Sequence, residues 1–175
     1  MTVATPDIAD AEELASVAAG TFPLACPPTA EPHNIVAFID ANLTAERFAE
    51  YLADENRVVL AAYRDARIVG YCMLIRGIPD DDADVARAVT VRPSLELSKM
   101  YVLPEDHGGE VSAALMQATL EHAAAMAAKS VWLGVNQKNL RAQRFYAKHE
   151  FTVNGARTFH LGEGVEDDLV MVRVV

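Results

Sequence analysis

Residues 132–151 read WLGVNQKNLRAQRFYAKHEF, and their order of apolar and polar positions decides the fold. A short apolar strand is predicted over residues 131–135, and a polar loop follows it. Asn139 then starts a helix as its N-cap, and Phe145–Tyr146 lie on the last turn of that helix. A second apolar strand is predicted from Phe151 onward. The stretch therefore predicts a strand, an Asn-capped amphipathic helix and another strand.

This order of elements resembles the C-terminal half of the GNAT superfamily, the acyl-CoA-dependent N-acyltransferases. The family pattern there is N-x-R-A-x-x-F-Y-x-K-x-G-F, and Glu150 stands here where the family usually has Gly. The positions that match are Asn139, Arg141, Ala142, Phe145, Tyr146, Lys148 and Phe151.

Apolar periodicity and turn residues place the other elements. Helices are predicted over residues 10–22, 34–39, 44–52, 109–128 and 139–149. Asp10 and Glu13 have the spacing of a capping box for the first helix, and Thr44 is an N-cap for the third. Strands are predicted over residues 2–4, 57–63, 68–76, 94–103, 131–135, 151–160 and 168–175. With residues 78–93 as a polar excursion between strands, these elements predict one α+β domain, residues 1–175, whose mixed central sheet is flanked by helices.

Composition limits the class of protein. The chain has 175 residues, of which 51% are hydrophobic, so it can form one globular domain with a sizeable core. No apolar run approaches the ~18 residues of a membrane span, and the first residues lack an export pattern, so no membrane association is expected. Cys26 and Cys72 are too few for a disulfide framework and lie among apolar neighbours. They favour inert thiols and a cytoplasmic location.

Charge narrows the class of partner. The formal net charge is −10, which disfavours a general nucleic-acid binder. An acidic domain attracts small cations through a screened field, but acidity also serves solubility, so it does not identify a substrate. The five histidines show no metal-ligand spacing and the two cysteines are far apart in sequence, so no metal site is predicted.

A second stretch resembles the GNAT loop that binds acetyl-CoA. In that family a strand ends, the turn R/Q-x-x-G-x-G/A follows, and a long helix begins. Free backbone N–H groups at the start of the helix then hold the pyrophosphate. The resemblance implies that acetyl-CoA, as co-substrate, contacts the strand end, the turn and the cap of the later helix. The residues concerned are Met100, Tyr101, Val102, His107, Gly108, Gly109, Glu110, Val111, Ser112 and Asn139.

The turn departs from the family pattern at three positions. His107 replaces Arg or Gln, Glu110 replaces the first motif glycine, and Ser112 replaces the second. A carboxylate at ~6 Å from a phosphate would weaken binding by about 1–3 kcal/mol per charge. Glu110 pointing to solvent would instead stabilise its helix by about 0.3–1 kcal/mol. The sequence is compatible with both orientations.

Tyr146 is the candidate general acid. The resemblance implies direct attack of an amine on the thioester without an acyl-enzyme, and no Ser or Cys is arranged with a base. The departing thiolate then needs a proton or a hydrogen bond, which a tyrosine hydroxyl can donate. Packing of the ring at a helix end is the alternative explanation. The match at Asn139, Phe145 and Phe151 favours the catalytic one.

Glu96 is the candidate general base, since the resemblance places the acetyl group beside strand 94–103. It would accept the amine proton directly or through water, or bind a cationic substrate. An exposed strand carboxylate is the alternative. The resemblance also implies a bulge in this strand, with free amides around Met100–Val102. Regular alternation predicts one face with Leu95, Leu97, Lys99 and Tyr101, and the other with Glu96, Ser98, Met100 and Val102.

Residues near the C-terminus resemble one particular branch of the GNAT superfamily. Residues 155–172, GARTFHLGEGVEDDLVMV, together with residues 132–135, resemble the PaiA-type bacterial polyamine acetyltransferases. This resemblance implies a small primary amine, such as spermidine or spermine, as the acceptor. Acidic groups at 166–168 suit such a cation.

Two alternative functions stay open at this point. The altered loop is compatible with a degenerate GNAT fold that binds a ligand or partner without catalysis. An acidic groove would also suit a protein lysine or N-terminal amine. By family analogy, the β-rich C-terminal end is compatible with a homodimer.

Overall fold

One seven-stranded sheet runs through the computed structural model, which describes residues 1–175. The strands are β1 (Thr2–Ala4), β2 (Arg57–Arg64), β3 (Arg67–Arg76), β4 (Ser94–Val102), β5 (Ser130–Asn136), β6 (Thr152–Leu161) and β7 (Gly164–Val174). Their order across the sheet is β1-β2-β3-β4-β5-β7-β6. Strands β4 and β5 are parallel, and the other neighbours are antiparallel. The predicted mixed α+β architecture is confirmed.

Six helices pack around this sheet. They are α1 (Ala11–Ala25), α2 (Pro32–Asn42), α3 (Ala45–Ala53), α4 (Ala83–Ala88), α5 (Glu110–Ala125) and α6 (Leu140–Lys148). None of them combines the length and the apolar character that crossing a bilayer requires. Thr44 caps α3 as predicted, with its Oγ1 accepting a hydrogen bond from the Arg47 amide at 3.2 Å.

Side-chain alternation along the central strands builds a core on each face of the sheet. Leu60 of β2 packs with Leu115 of α5 on one face. Val59, the preceding residue, packs with Leu14 of α1 and Phe48 of α3 on the other. Both faces of β2 and β3 are therefore buried, which explains their nearly continuous apolar sequences.

The start of α1 differs from the sequence-based prediction. The capping box lies one turn earlier, because the Asp7 side chain and the Asp10 side chain cap a short 3-10 turn before the helix. Glu13 is not part of it. Its Oε1 accepts hydrogen bonds from the Arg67 side chain at 2.8 Å and the Ile68 amide at 3.1 Å. A tertiary contact to the β2–β3 hairpin therefore outcompetes the local cap.

Residues 78–93 contain a helix that the polar composition did not predict. Asp82 caps α4 by accepting a hydrogen bond from the Val85 amide at 2.9 Å. Val85 and Ala88 pack against Trp132, so a short helix buries an apolar stripe that is too brief to stand out in the sequence. Strand β7 also begins earlier than predicted, at Gly164, because Gly162 with φ of 58° permits a tight β6–β7 turn.

Candidate active site

A cleft opens where β4 and β5 stop pairing. The two strands are in register only from Ser94 opposite Ser130 to Glu96 opposite Trp132, and they diverge beyond that point. Two cavities lie along the divergence, a large cavity of about 400 Å³ and a small cavity of about 180 Å³. They are contiguous, since the same residues line both: Ala25, Met100, Tyr101, Asn139, Ala142 and Tyr146.

A β-bulge at Ser98 decides which side chains of β4 face the large cavity. Lys99 lies opposite Met73 and Leu97 lies opposite Leu74, so Ser98 is the extra residue on its strand. The bulge inverts the alternation after it. Leu95, Leu97, Met100 and Val102 pack on the α5 side, whereas Tyr101 belongs to the opposite core.

The predicted faces of this strand are therefore wrong beyond the bulge. Lys99 and Tyr101 were expected beside Leu95 and Leu97, but an extra residue moves every later side chain to the other face. Lys99 instead shares a face with Glu96 and contacts the ring of Tyr51 on α3. The bulge that the family resemblance implied is present in the strand, before rather than among Met100–Val102.

The small cavity borders the start of α5, where Gly108 and Ser112 line it. Gly108 and Gly109 have φ of 123° and 133°, a region that favours glycine. No side chain caps α5, and the Ala113 amide makes the first helical hydrogen bond, to Gly109 O at 3.0 Å. The amides of residues 110–112 thus have no helical partner, and the positive end of the helix dipole lies behind them. This arrangement fits a bound phosphate group.

Seven of the ten residues predicted to bind the cofactor line the small cavity: Met100, Tyr101, Val102, His107, Gly108, Ser112 and Asn139. Gly109, Glu110 and Val111 do not line it. Val111 is buried in the core, and Glu110 is exposed. Of the two orientations that the sequence allowed, the Glu110 side chain therefore adopts the one that points to solvent. His107 is held in place by its Nε2, which lies 2.8 Å from Val102 O.

Tyr146 lies at the junction of the two cavities. Asn139 starts α6, as predicted, by accepting a hydrogen bond from the Ala142 amide at 3.1 Å. The ring of Tyr146 packs edge-on against Phe145 at 5.4 Å and Phe151 at 5.8 Å between centroids. Burial raises the pKa of Tyr146 above its usual value, so the phenol stays protonated at neutral pH. A protonated hydroxyl is thereby held where both cavities meet.

Charged side chains line the large cavity, namely Glu96, Glu166, Asp168, Lys99 and Arg157. Arg157 reaches across from β6 and links two of the carboxylates. Its Nη1 lies 3.7 Å from Glu96 and its Nε lies 3.8 Å from Asp168. Its guanidinium also lies over the ring of Trp132, 5.3 Å from the centroid. Arg157 is thus the central countercharge of this cavity.

Gly134 of β5 leaves space for the side chain of Arg157, which extends from β6. A Cβ at Gly134 would lie 2.5 Å from Nη2 and 2.7 Å from Nε of Arg157. Any larger residue would therefore displace the guanidinium. The glycine in the sequence motif of β5 thus controls the charge distribution of the large cavity.

Burial perturbs the titration of these groups. It raises the pKa of Glu96, and Arg157 and Lys99 oppose that rise. It raises the pKa of Asp168 to about 6, again against the effect of Arg157. It lowers the pKa of Lys99 to about 8, opposed by Glu96 and reinforced by Arg57. Desolvation is the largest cause in each case, because charged forms lose water in the cavity.

Helices α1 and α2 cover the large cavity. Phe22 and Phe38 stack at 4.5 Å between centroids, and Phe38 also contacts Phe159 of β6 at 5.6 Å. Asn34 of α2 joins this cover to the β6–β7 turn, since its Oδ1 accepts a hydrogen bond from the Glu163 amide at 3.0 Å. The cover walls one side of the large cavity, which stays partly open to solvent.

Sequence reasoning missed Arg157, Lys99 and Gly134 as site residues. Arg157 comes from the last hairpin and meets Glu96 across two intervening strands, β7 and β5. No periodicity within either segment signals that contact. The one available signal was the Trp132-Leu133-Gly134-Val135 motif, in which a glycine interrupts an apolar strand and indicates a close approach.

Comparisons with known proteins agree with this geometry. Residues 21–151 match the family model described as Acetyltransferase (GNAT) family. An uncharacterized N-acetyltransferase of Mycobacterium bovis (strain ATCC BAA-935 / AF2122/97) is 58% identical over 164 residues, covering 94% of this chain and 97% of the relative. Another uncharacterized N-acetyltransferase, from Mycobacterium tuberculosis (strain ATCC 25618 / H37Rv), matches with the same identity and coverage.

Solved structures share the fold at low identity. The PaiA N-acetyltransferase of Thermoplasma acidophilum, crystallised with coenzyme A, has a TM-score of 0.78 at 17% identity, over 99% of this chain and 98% of that one. Ribosomal-protein-alanine N-acetyltransferase from Brucella melitensis has a TM-score of 0.71 at 19% identity, over 100% of both chains. Fold, family match and close relatives agree, and the chain therefore belongs to the acetyltransferase (GNAT) family, as an N-acetyltransferase whose acetyl donor is acetyl-CoA.

Proposed function

We propose that this enzyme acetylates the primary amine of a small cationic acceptor, polyamine-like in character, which binds in the large cavity. The observation that carries the proposal is the charge of that cavity. Three carboxylates and two cations line it, so one negative charge remains for an ammonium group. Glu166 is the carboxylate that Arg157 does not contact within ion-pair distance, and it is therefore the expected partner of the acceptor's distal ammonium.

The small cavity supports the donor side of the proposal. The amides of residues 110–112 would hold the pyrophosphate, with His107 and Ser112 beside it. When bound, acetyl-CoA supplies an acetyl thioester for attack by an amine. The diverging edge of β4 near Met100–Val102 would then lie along the pantetheine arm.

Two residues would transfer protons, namely Glu96 in the large cavity and Tyr146 at the junction of the two cavities. Glu96 would accept a proton from the incoming ammonium, directly or through water, because amines attack only when neutral. Arg157 favours the ionised form of Glu96, which a base requires. Tyr146 would donate a hydrogen bond and then a proton to the leaving sulfur, since its hydroxyl stays protonated.

The cover over the large cavity favours a small acceptor over a protein. Phe38 and Phe159 narrow the large cavity from the side of α2, and Asn34 connects α2 to the β6–β7 turn. The fold does not choose between these acceptors. Among the fold neighbours, one is named a ribosomal-protein-alanine N-acetyltransferase and another an aminoglycoside 6'-acetyltransferase.

A panel of matched amines tests the proposal. Acetyl-CoA consumption would be measured with spermidine, with butylamine, with 4-aminobutyrate and with a lysine peptide. We expect spermidine to have the highest kcat/KM, and the amine that carries a carboxylate to be at least about tenfold poorer, equivalent to about 1.4 kcal/mol. Preference for the peptide or for 4-aminobutyrate would refute the cationic small acceptor. Calorimetry with acetyl-CoA and CoA would separately test the donor side.

A further inference from the structure

Lys99 differs from the other lysines of the chain. The sequence has four, and Lys129, Lys138 and Lys148 are exposed on the surface. Lys99 instead lines the large cavity from β4, directly after the bulge at Ser98. An N-acetyltransferase therefore has one primary amine of its own inside the cavity assigned to the acceptor.

The Lys99 amine has no ionic partner. None of the eight ion pairs includes it. Its Nζ lies 5.7 Å from the ring centroid of Tyr51, and Glu96 on the same face is paired with Arg157. Buried charges are normally paired, because an unpaired ammonium loses its hydration without compensation. The lack of a partner leaves this amine free to react.

We propose that Lys99 is a self-acetylation site, whose amine takes the acetyl group from acetyl-CoA bound to the same chain when no acceptor occupies the large cavity. The inference depends on the proposed binding of acceptors in that cavity. Transfer to Lys99 uses the same donor and the same Tyr146 as transfer to an external amine.

The position of Lys99 permits this transfer. Lys99 is two residues from Tyr101 on the same face of β4, about 7 Å along the strand, and Tyr101 borders both cavities. The lysine side chain has a flexible four-carbon stem. No ion pair has to break for Nζ to swing from Tyr51 toward the junction.

The step balances as an ordinary acyl transfer. Neutral Nζ attacks the thioester carbonyl carbon, a C–N bond forms and the C–S bond breaks. The electron pair of the C–S bond goes to sulfur, which takes a proton from the Tyr146 hydroxyl. The proton lost by the Lys99 nitrogen passes through Glu96 or water and restores Tyr146. The products are an amide at Lys99 and the CoA thiol.

The chemical setting of Lys99 raises the fraction of its amine that is neutral. Burial lowers the pKa of Lys99 to about 8, with Glu96 opposing this effect and Arg57 reinforcing it, and Tyr51 is the other titratable group that faces it. About half of the amine is then neutral at pH 8, against less than about 1% for an ordinary lysine. Acetylation would remove one cation and fill part of the cavity beside Glu96.

The test is site-resolved mass spectrometry of the full chain after incubation with acetyl-CoA and no acceptor. We expect acetylation at Lys99 at least about tenfold faster than at the three exposed lysines, which serve as internal controls. The rate per chain should not depend on protein concentration, because the transfer is intramolecular. Spermidine should protect Lys99, and Tyr146→Phe should slow its modification. Equal labelling of all four lysines, or none at Lys99 with saturating acetyl-CoA, would overturn the proposal.

Two further measurements separate this inference from the proposed function. Acetylation of spermidine is followed in parallel samples of the same preparation. Transfer to spermidine in those samples, combined with no modification of Lys99 in the samples that lack an acceptor, refutes the self-acetylation alone. NMR of the chain without acetyl-CoA should show one lysine amine titrating near pH 8, and that signal should disappear in Lys99→Arg but persist in Lys129→Arg. Titration of all four amines together near pH 10 would contradict the neutral Lys99 on which the step depends.

Discussion

The two cavities that meet at Tyr146 differ in what forms them: the backbone forms one, and charged side chains form the other. The small cavity depends on backbone geometry, namely two glycines with positive φ and the uncapped start of α5. The large cavity depends on side chains from β4, β5, β6 and β7, with Arg157 linking Glu96 and Asp168. Backbone amides bind an anion whatever side chain they carry, whereas a network of side chains changes with each substitution.

This difference predicts that the loop tolerates departures from the family pattern. Glu110 replaces a motif glycine, yet it is exposed and leaves the small cavity open. The large cavity should be more sensitive, because a single Cβ at Gly134 would displace the Arg157 guanidinium. We therefore expect donor binding in this chain to be less sensitive to substitution than acceptor binding.

Tyr146→Phe should have the largest effect, because this residue serves both cavities at once. We expect kcat to fall by about 10²–10⁴-fold as the leaving sulfur loses its proton donor, while the Kd of acetyl-CoA stays within about twofold. Steady-state kinetics and calorimetry measure the two quantities. Tyr71→Phe is the matched control, since the Tyr71 hydroxyl is buried without a hydrogen-bond partner. An unchanged kcat in Tyr146→Phe would remove Tyr146 from the mechanism.

Asp168→Asn should show how much the buried, ionised Asp168 carboxylate lowers the free energy of unfolding. Burial raises the pKa of Asp168 from 3.8 to about 6, so the folded chain holds this proton more tightly than the unfolded chain. The corresponding stability is present below pH ~4 and is lost as the pH rises through about 6. From pH 4 to pH 7 the variant should therefore gain about 2 kcal/mol relative to the wild type.

Urea unfolding at the two pH values measures that gain. Asp167→Asn is the control, because Asp167 is the exposed neighbour on the same strand. A difference between Asp168→Asn and wild type that does not vary with pH would show that the Asp168 carboxyl is not destabilised by burial.

Gly134→Ala should damage the large cavity and spare the small one. The new Cβ would lie within 3 Å of the Arg157 guanidinium, which must move away from Glu96 and Asp168. We expect kcat/KM for the amine to fall by about tenfold or more, with unchanged acetyl-CoA affinity. Gly20→Ala is the control, since a Cβ there meets nothing within 4 Å. Loss of acetyl-CoA binding in Gly134→Ala would contradict the separation of the two cavities.

Glu110→Gly should have the smallest effect. Because the Glu110 side chain does not line the small cavity, its removal should change the Kd of acetyl-CoA by less than about twofold. Ser112→Asp is the contrasting variant, since Ser112 does line that cavity. A carboxylate there should weaken binding by about fivefold to a hundredfold. Markedly tighter binding by Glu110→Gly would show that Glu110 obstructs the site after all.

Particular residues show how far sequence reasoning extends. Asn139 and Thr44 were predictable as caps because a cap needs only local geometry. The capping box of Asp10 and Glu13 failed, because Glu13 bonds to the β2–β3 hairpin more than fifty residues away. The faces of β4 failed after Ser98, because a bulge adds one residue without leaving a signal in the alternation.

The sequence by itself determined the α+β class and the order of the elements other than α4, because apolar periodicity and cap residues act over one or two turns of chain. The family followed from the resemblance of its motifs. It also predicted a donor site at one place in the chain, since a strand, a glycine turn and a helix are consecutive there. Only the tertiary structure formed the large cavity that we propose for the acceptor. The divergence of β4 from β5, the bulge at Ser98 and the reach of Arg157 bring together Glu96, Lys99 and Asp168. Burial then shifts the pKa values of these three groups, and burial depends on how the whole molecule packs.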